Sequence, residues 1–61
     1  MWEKINTLRE RNGLTLKELG NAVGVSQGNI SDWKRGRSKP SWDMMVKIAK
    51  YFNTSLDWFA Q

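Results

Sequence analysis

Apolar residues recur along the chain every three or four positions, and no stretch alternates apolar with polar. Trp2, Ile5 and Leu8, continued by Arg9, fall on one face of a first helix. Asn12-Gly13 ends it, glycine being suited to the left-handed turn that follows a last helical residue. Thr15 stands before Leu16-Lys17-Glu18, and the Thr15–Glu18 pair reads as a capping box opening a second helix, which runs through Leu19 and Val23 to a stop at Gly24. Ser26 caps a third helix across Gln27 to Arg35, closed by Gly36. After the break at Lys39-Pro40-Ser41, the residues Trp42, Met45, Ile48, Ala49 and Phe52 form the stripe of a fourth helix. Asn53-Thr54-Ser55 separates it from a short terminal turn holding Leu56 and Phe59. With no hairpin signal, the fold predicted is all-α, a compact bundle of four to five short helices joined by short connections.

Sixty-one residues, 39% of them hydrophobic, make one domain, residues 1–61, with a single modest core. Cysteine and histidine are both absent. That removes disulfide staples and the usual zinc, haem and iron–sulfur ligand sets, so no metal or cofactor is expected. Nucleophilic catalysis by Cys–His or Ser–His arrangements is excluded on the same ground. Six dispersed carboxylates and no phosphate-binding glycine loop leave no constellation for an enzyme. No apolar run approaches the ~20 residues of a membrane span, and Met1-Trp2-Glu3-Lys4 lacks the layout of a secretory signal. The expectation is a cytoplasmic binding module.

Charge narrows the partner. Ten Lys and Arg against six Asp and Glu give a net +4, and Lys34-Arg35-Gly36-Arg37-Ser38-Lys39 holds four of the ten bases and no acid. Outside this hexapeptide six bases face six acids, so the whole net charge sits on one short segment. Such concentration fits an anionic partner, nucleic acid first; taken alone, it equally fits a solvated loop that aids solubility.

Residues 16–35 carry more specific information. Two short helices meet at Gly24, where a steep crossing needs a residue tolerant of positive φ, and Gly20 supplies the lack of bulk needed where the backbones approach. Leu19, Val23, Val25, Ile30 and Trp33 lock the pair from inside. Together with Gly13-Leu14-Thr15, Val23-Gly24-Val25-Ser26-Gln27, Ile30-Ser31-Asp32-Trp33, Lys39-Pro40-Ser41 and Ser55-Leu56-Asp57-Trp58, this pattern resembles the lambda-repressor-like helix-turn-helix domain of phage repressors and Cro-type regulators over residues 5–59.

The resemblance implies a docking mode in which the third helix enters the major groove of double-stranded DNA, led by its N-terminal residues. Carried over by position, the base-reading residues are Gln27, Gly28, Ser31 and Asp32. Gln27 suits adenine N6 and N7, and Ser31 is a permissive reader. Gly28 is bare where relatives present a side chain, leaving either a close approach to a thymine methyl or no contact. Asp32 either accepts from a cytosine N4 or sits clear of the groove. Phosphate contacts fall to Leu16 and Lys17 through the backbone at the start of the second helix, and to Asn29, Lys34, Arg35, Arg37 and Lys39. Lys34 stands where relatives commonly place a glutamate paired with the residue at Arg9. It therefore becomes a phosphate contact, and Arg9 must find another partner.

Of the four tryptophans, Trp2 lies on the first helix and three remain to be placed. Trp33 and Trp42 read as core. Trp58, with Pro40 and Met44, is the candidate two-fold contact of a homodimer reading half-sites ~34 Å apart on a pseudo-palindromic operator. The function implied is a sequence-specific DNA-binding transcriptional regulator, a repressor of phage or bacterial type. The alternative on the same fold is a protein-interaction module of antitoxin or adaptor kind, which would have no use for the basic segment beside an exposed Gln27–Ser31 face.

Overall fold

The computed structural model describes all residues, 1–61, as five helices and no strand: α1 (Trp2–Arg11), α2 (Leu16–Val23), α3 (Gln27–Arg35), α4 (Trp42–Tyr51) and α5 (Leu56–Ala60). The first four helices end on one joint used four times. A residue in the left-handed region follows each: Gly13 (φ 65°), Gly24 (φ 77°), Gly36 (φ 77°) and Asn53 (φ 55°). The next N–H then reaches back five residues, from Leu14 to the Arg9 carbonyl (3.1 Å), Val25 to Gly20, Arg37 to Asp32, and Thr54 to Ala49 (each 2.9 Å). This is the Schellman bond, which satisfies carbonyls that the end of a helix leaves orphaned. Asparagine serves at the fourth joint because its short polar side chain tolerates the left-handed region.

In three of these connections the second residue after the turn is already the next cap: Thr15, Ser26 and Ser55. Their hydroxyls accept the N–H of Glu18 (3.1 Å), Asn29 (3.2 Å) and Trp58 (3.2 Å), and Glu18 closes the capping box on the Thr15 N–H at 2.8 Å. The connection after Gly36 is longer. It runs through Arg37, Ser38, Lys39 and Pro40 before Ser41 caps α4. The odd joint is the basic one.

Every capped helix docks by the same position. The fourth residue after the cap is buried in each case: Leu19, Ile30, Met45 and Phe59. The residue before the cap (Leu14, Val25, Pro40, Thr54) is half-buried in each case, and in the first three it is apolar, the residue type of a staple that sets the entry angle of the chain. Ile5 and Leu8 of α1, with Val23, Trp33, Ile48 and Ala49, complete a core of ten residues. No polar side chain is buried. Each fully buried aliphatic side chain contributes about 1.5–3 kcal/mol, so α3 is held chiefly through Ile30 and Trp33.

At the α2–α3 corner the backbones come too close for a side chain. A Cβ built on Gly20 would lie 2.8 Å from the Val25 carbonyl oxygen, so even alanine would force backbone to move. Trp42 departs from expectation. It does not join the core but is 70% exposed. It is the first residue of α4, and helical side chains lean toward the N-terminus, so its ring hangs beyond the end of the core stripe that Met45, Ile48 and Ala49 fill.

Candidate nucleic-acid interface

The α2–α3 corner turns the first turn of α3 outward. Ile30, the fourth residue after the cap, is buried, while the first three (Gln27, Gly28 and Asn29) are exposed. Ser26 accepts the Asn29 N–H through its hydroxyl and the Ile30 N–H through its carbonyl. The N–H groups of Gln27 and Gly28 therefore point out of the helix without protein partners. At the start of α2 the cap engages Glu18 and Leu19 in the same way, leaving the N–H groups of Leu16 and Lys17 unbonded. Two helix N-termini thus offer free donors with the positive end of their dipoles.

The second turn of α3 is less open than the sequence implied. Ser31 and Asp32, expected on the exposed face, are half-buried, so the outermost surface is Gln27-Gly28-Asn29. Trp33 is buried as expected. Lys34 and Arg35 end the helix in solvent, and Arg37 and Lys39 follow on the exposed loop. With Trp2, Glu3 and Ser38, the residues Lys34, Arg35 and Lys39 line a cleft of about 290 Å³ between α1 and the end of α3.

None of these cations has a carboxylate within ion-pair distance. The chain's one ion pair joins the Met1 ammonium to Glu3 at 3.4 Å. No lysine or arginine side chain pairs with a carboxylate. Arg9 has found the different partner that Lys34 demands: its Nε donates to Asn6 Oδ1 (2.9 Å) and an Nη to the Leu14 carbonyl (2.7 Å), tying α1 to the connection ahead of α2. The side chains of the four bases of the 34–39 segment make no hydrogen bond within the chain, so their charge is available to an external anion.

Glu18 contributes rigidity. Its carboxyl is held below the ordinary glutamate range, first by the Thr15 backbone N–H and second by the Thr15 hydroxyl. Leu16 packs its side chain against the core, which leaves only its backbone to face a ligand. Lys17, beside it, is exposed.

Of the three residues proposed for a two-fold contact, Trp58 is engaged within its own chain. Lys4 Nζ sits 4.8 Å above its ring and donates to its carbonyl at 3.0 Å, while Phe59 meets it edge-on at 5.1 Å. Met44 is half-buried against the core. Pro40 instead lines an apolar groove of about 300 Å³ with Met1, Trp42, Met45, Leu56 and Phe59. Stripe reading of the sequence missed this groove; the signal was the place of Trp42, directly after a cap.

Comparison with known proteins places this geometry in a lineage. The helix-turn-helix family model matches residues 5–59. The HTH-type transcriptional activator BcrR of Enterococcus faecalis is 33% identical over 55 residues, 90% of this chain and 27% of that protein. The HTH-type transcriptional regulator DdrOP3 of Deinococcus deserti is 32% identical over 54 residues, 88% of this chain and 42% of its own length. An HTH-type transcriptional regulator of Archaeoglobus fulgidus is 33% identical over 57 residues, covering 93% of this chain and 81% of that protein. The chain thus spans less than half of the first two relatives and most of the third. No solved structure is a significant match. With α2 and α3 crossing at Gly24, the buried lock at Leu19, Val23 and Ile30, and the match running nearly end to end, the chain belongs to the helix-turn-helix family.

Proposed function

We propose that this chain binds double-stranded DNA in a sequence-specific manner and regulates transcription, with Gln27, Gly28, Ser31 and Asp32 toward the bases. Leu16, Lys17, Asn29, Lys34, Arg35, Arg37 and Lys39 hold the phosphates. One observation carries the reading: a solvent-facing polar first turn of α3 stands in one short domain with four cations that no carboxylate neutralises. Phosphate contacts set affinity and register, while Gln27, Gly28, Ser31 and Asp32 of α3 read sequence, so the two sets divide the work. Relatives named as transcriptional regulators support the same reading.

Two copies are needed for a palindromic operator. The longest extent of the chain, 26 Å, is shorter than the ~34 Å between half-sites one helical turn apart. The groove of Pro40 and Trp42 is the apolar surface for that pairing, since it adjoins Lys39 and would set two basic loops side by side. Repression follows where the occupied operator overlaps the polymerase site. The test is a selection of bound duplexes from random DNA at two salt concentrations, with sedimentation of the chain on and off the selected site. A recurrent two-fold sequence bound by two copies is the expected result. Retention of all sequences alike would overturn the reading.

A further inference from the structure

Five glycines punctuate the chain, and four of them answer to the fold. Gly13, Gly24 and Gly36 hold positive φ at helix ends, and Gly20 has no space for a Cβ. Gly28 has neither reason. It lies within the first turn of α3 at ordinary helical φ, and a Cβ there would meet only the Ser26 hydroxyl, at 3.7 Å, an ordinary contact. Alanine at this position would fit the backbone and would lose less chain freedom on folding. The fold is thus better served by a residue the chain does not use. Gly28 also sits at the centre of the outermost surface, between exposed Gln27 and Asn29, two residues beyond the serine cap.

We infer that Gly28 reads DNA by lacking a side chain: its bare Cα forms a notch that receives the 5-methyl group of a thymine and lets α3 seat close to the base edges. The inference rests on the DNA reading proposed above and adds the identity of one base feature. A β-carbon would stand where the methyl sits, lifting the first turn and drawing Gln27 away from its base. Apolar contact with the thymine methyl is a recognised means of major-groove discrimination, and a backbone methylene provides it when nothing intervenes. Serine or alanine here would serve the helix and obstruct the methyl.

The experiment compares wild type with Gly28→Ala on the duplex that wild type selects, replacing each thymine in turn by deoxyuridine, which lacks only the methyl. Gly28→Ala is expected to melt at or above the wild-type temperature and to bind the selected duplex at least about fivefold more weakly. At one thymine, removal of the methyl should weaken wild type and strengthen Gly28→Ala, opposite signs from the same atom. Undiminished binding by Gly28→Ala, or the same sign for both proteins at every thymine, overturns the inference while leaving the DNA reading intact. A lower melting temperature overturns its premise that the fold does not need this glycine. Absence of any sequence preference in wild type would instead overturn the DNA reading, and this inference with it.

Discussion

The α2–α3 corner and the α4–α5 corner are built on one plan and put to different ends. Gly24-Val25-Ser26 and Asn53-Thr54-Ser55 are matched residue for residue: a left-handed turn, a Schellman N–H, and a serine whose hydroxyl accepts from three residues on. Ile30 and Phe59 occupy the same buried fourth position. The carbonyl acceptors differ. Gly20 serves one corner and Ala49 the other, because only at α2–α3 do the backbones approach within the radius of a methyl group. After the shared cap, α3 presents Gln27-Gly28-Asn29 to solvent, whereas α5 folds Leu56 and Trp58 partly inward. Joint chemistry therefore sets where a helix starts. What the helix is for depends on which side chains fill the three positions after the cap, which α3 turns to solvent and α5 partly buries.

The comparison breaks most readily at its tightest point. Gly20→Ala should lose about 1–3 kcal/mol of stability, because the added carbon meets backbone rather than a movable side chain. Ala49→Gly should lose only about 1 kcal/mol, mostly helix propensity. Urea unfolding followed by tryptophan fluorescence measures both, and equal losses would mean that the corners are equally close.

Next comes the outward face. Gln27→Ala should weaken the selected duplex by ~1–3 kcal/mol and leave both stability and binding to random DNA nearly unchanged. Arg37→Ala should weaken all sequences alike and lower the salt slope by about one. The position-matched Leu56→Ala should reduce stability and preserve sequence preference. Titrations across a duplex library distinguish these outcomes, and identical profiles for the Gln27 and Arg37 variants would dissolve the division into readers and clamps.

The joint itself should be interchangeable. Since Asn53 holds φ 55° in one corner, Gly24→Asn should cost less than about 1 kcal/mol in the other, read as a small fall in melting temperature.

The smallest effect is a pH dependence at the remaining joint of this kind, Gly13-Leu14-Thr15. Glu18 has its folded pKa lowered from 4.5, so its contribution is present above that value and is lost as pH falls through the lower folded value. The stability gap between wild type and Glu18→Gln should shrink below pH 4.5, as thermal melts at a series of pH values would register. A gap that held constant would show that the carboxylate form adds nothing to the box.

Much of the fold was legible because its signals are local. Thr15 with Glu18, and Ser26, are caps wherever they occur, since a short hydroxyl beside free N–H groups needs no distant partner. Gly13, Gly24 and Gly36 mark helix ends for an equally local reason. Asn53 makes the same turn with a weaker sequence signal, because asparagine is less committed to the left-handed region than glycine. Trp42 matched the core stripe by spacing and lies outside it. Periodicity assigns a face of the helix but not how far the neighbouring elements extend along it.

By itself the sequence determined the first four helices, the glycines that end three of them, and the chemistry along α3 and the loop after it, all of which rest on hydrogen bonds and dihedral preferences within a few residues. Tertiary structure alone decided that Trp42 and Pro40 border an open groove, that Lys4 occupies Trp58, and that Ser31 and Asp32 are partly covered while Gln27, Gly28 and Asn29 are not. It alone separated Gly20, which the fold requires, from Gly28, which it does not. Free volume and burial belong to pairs of surfaces distant in the chain, and they exist only once those surfaces have met.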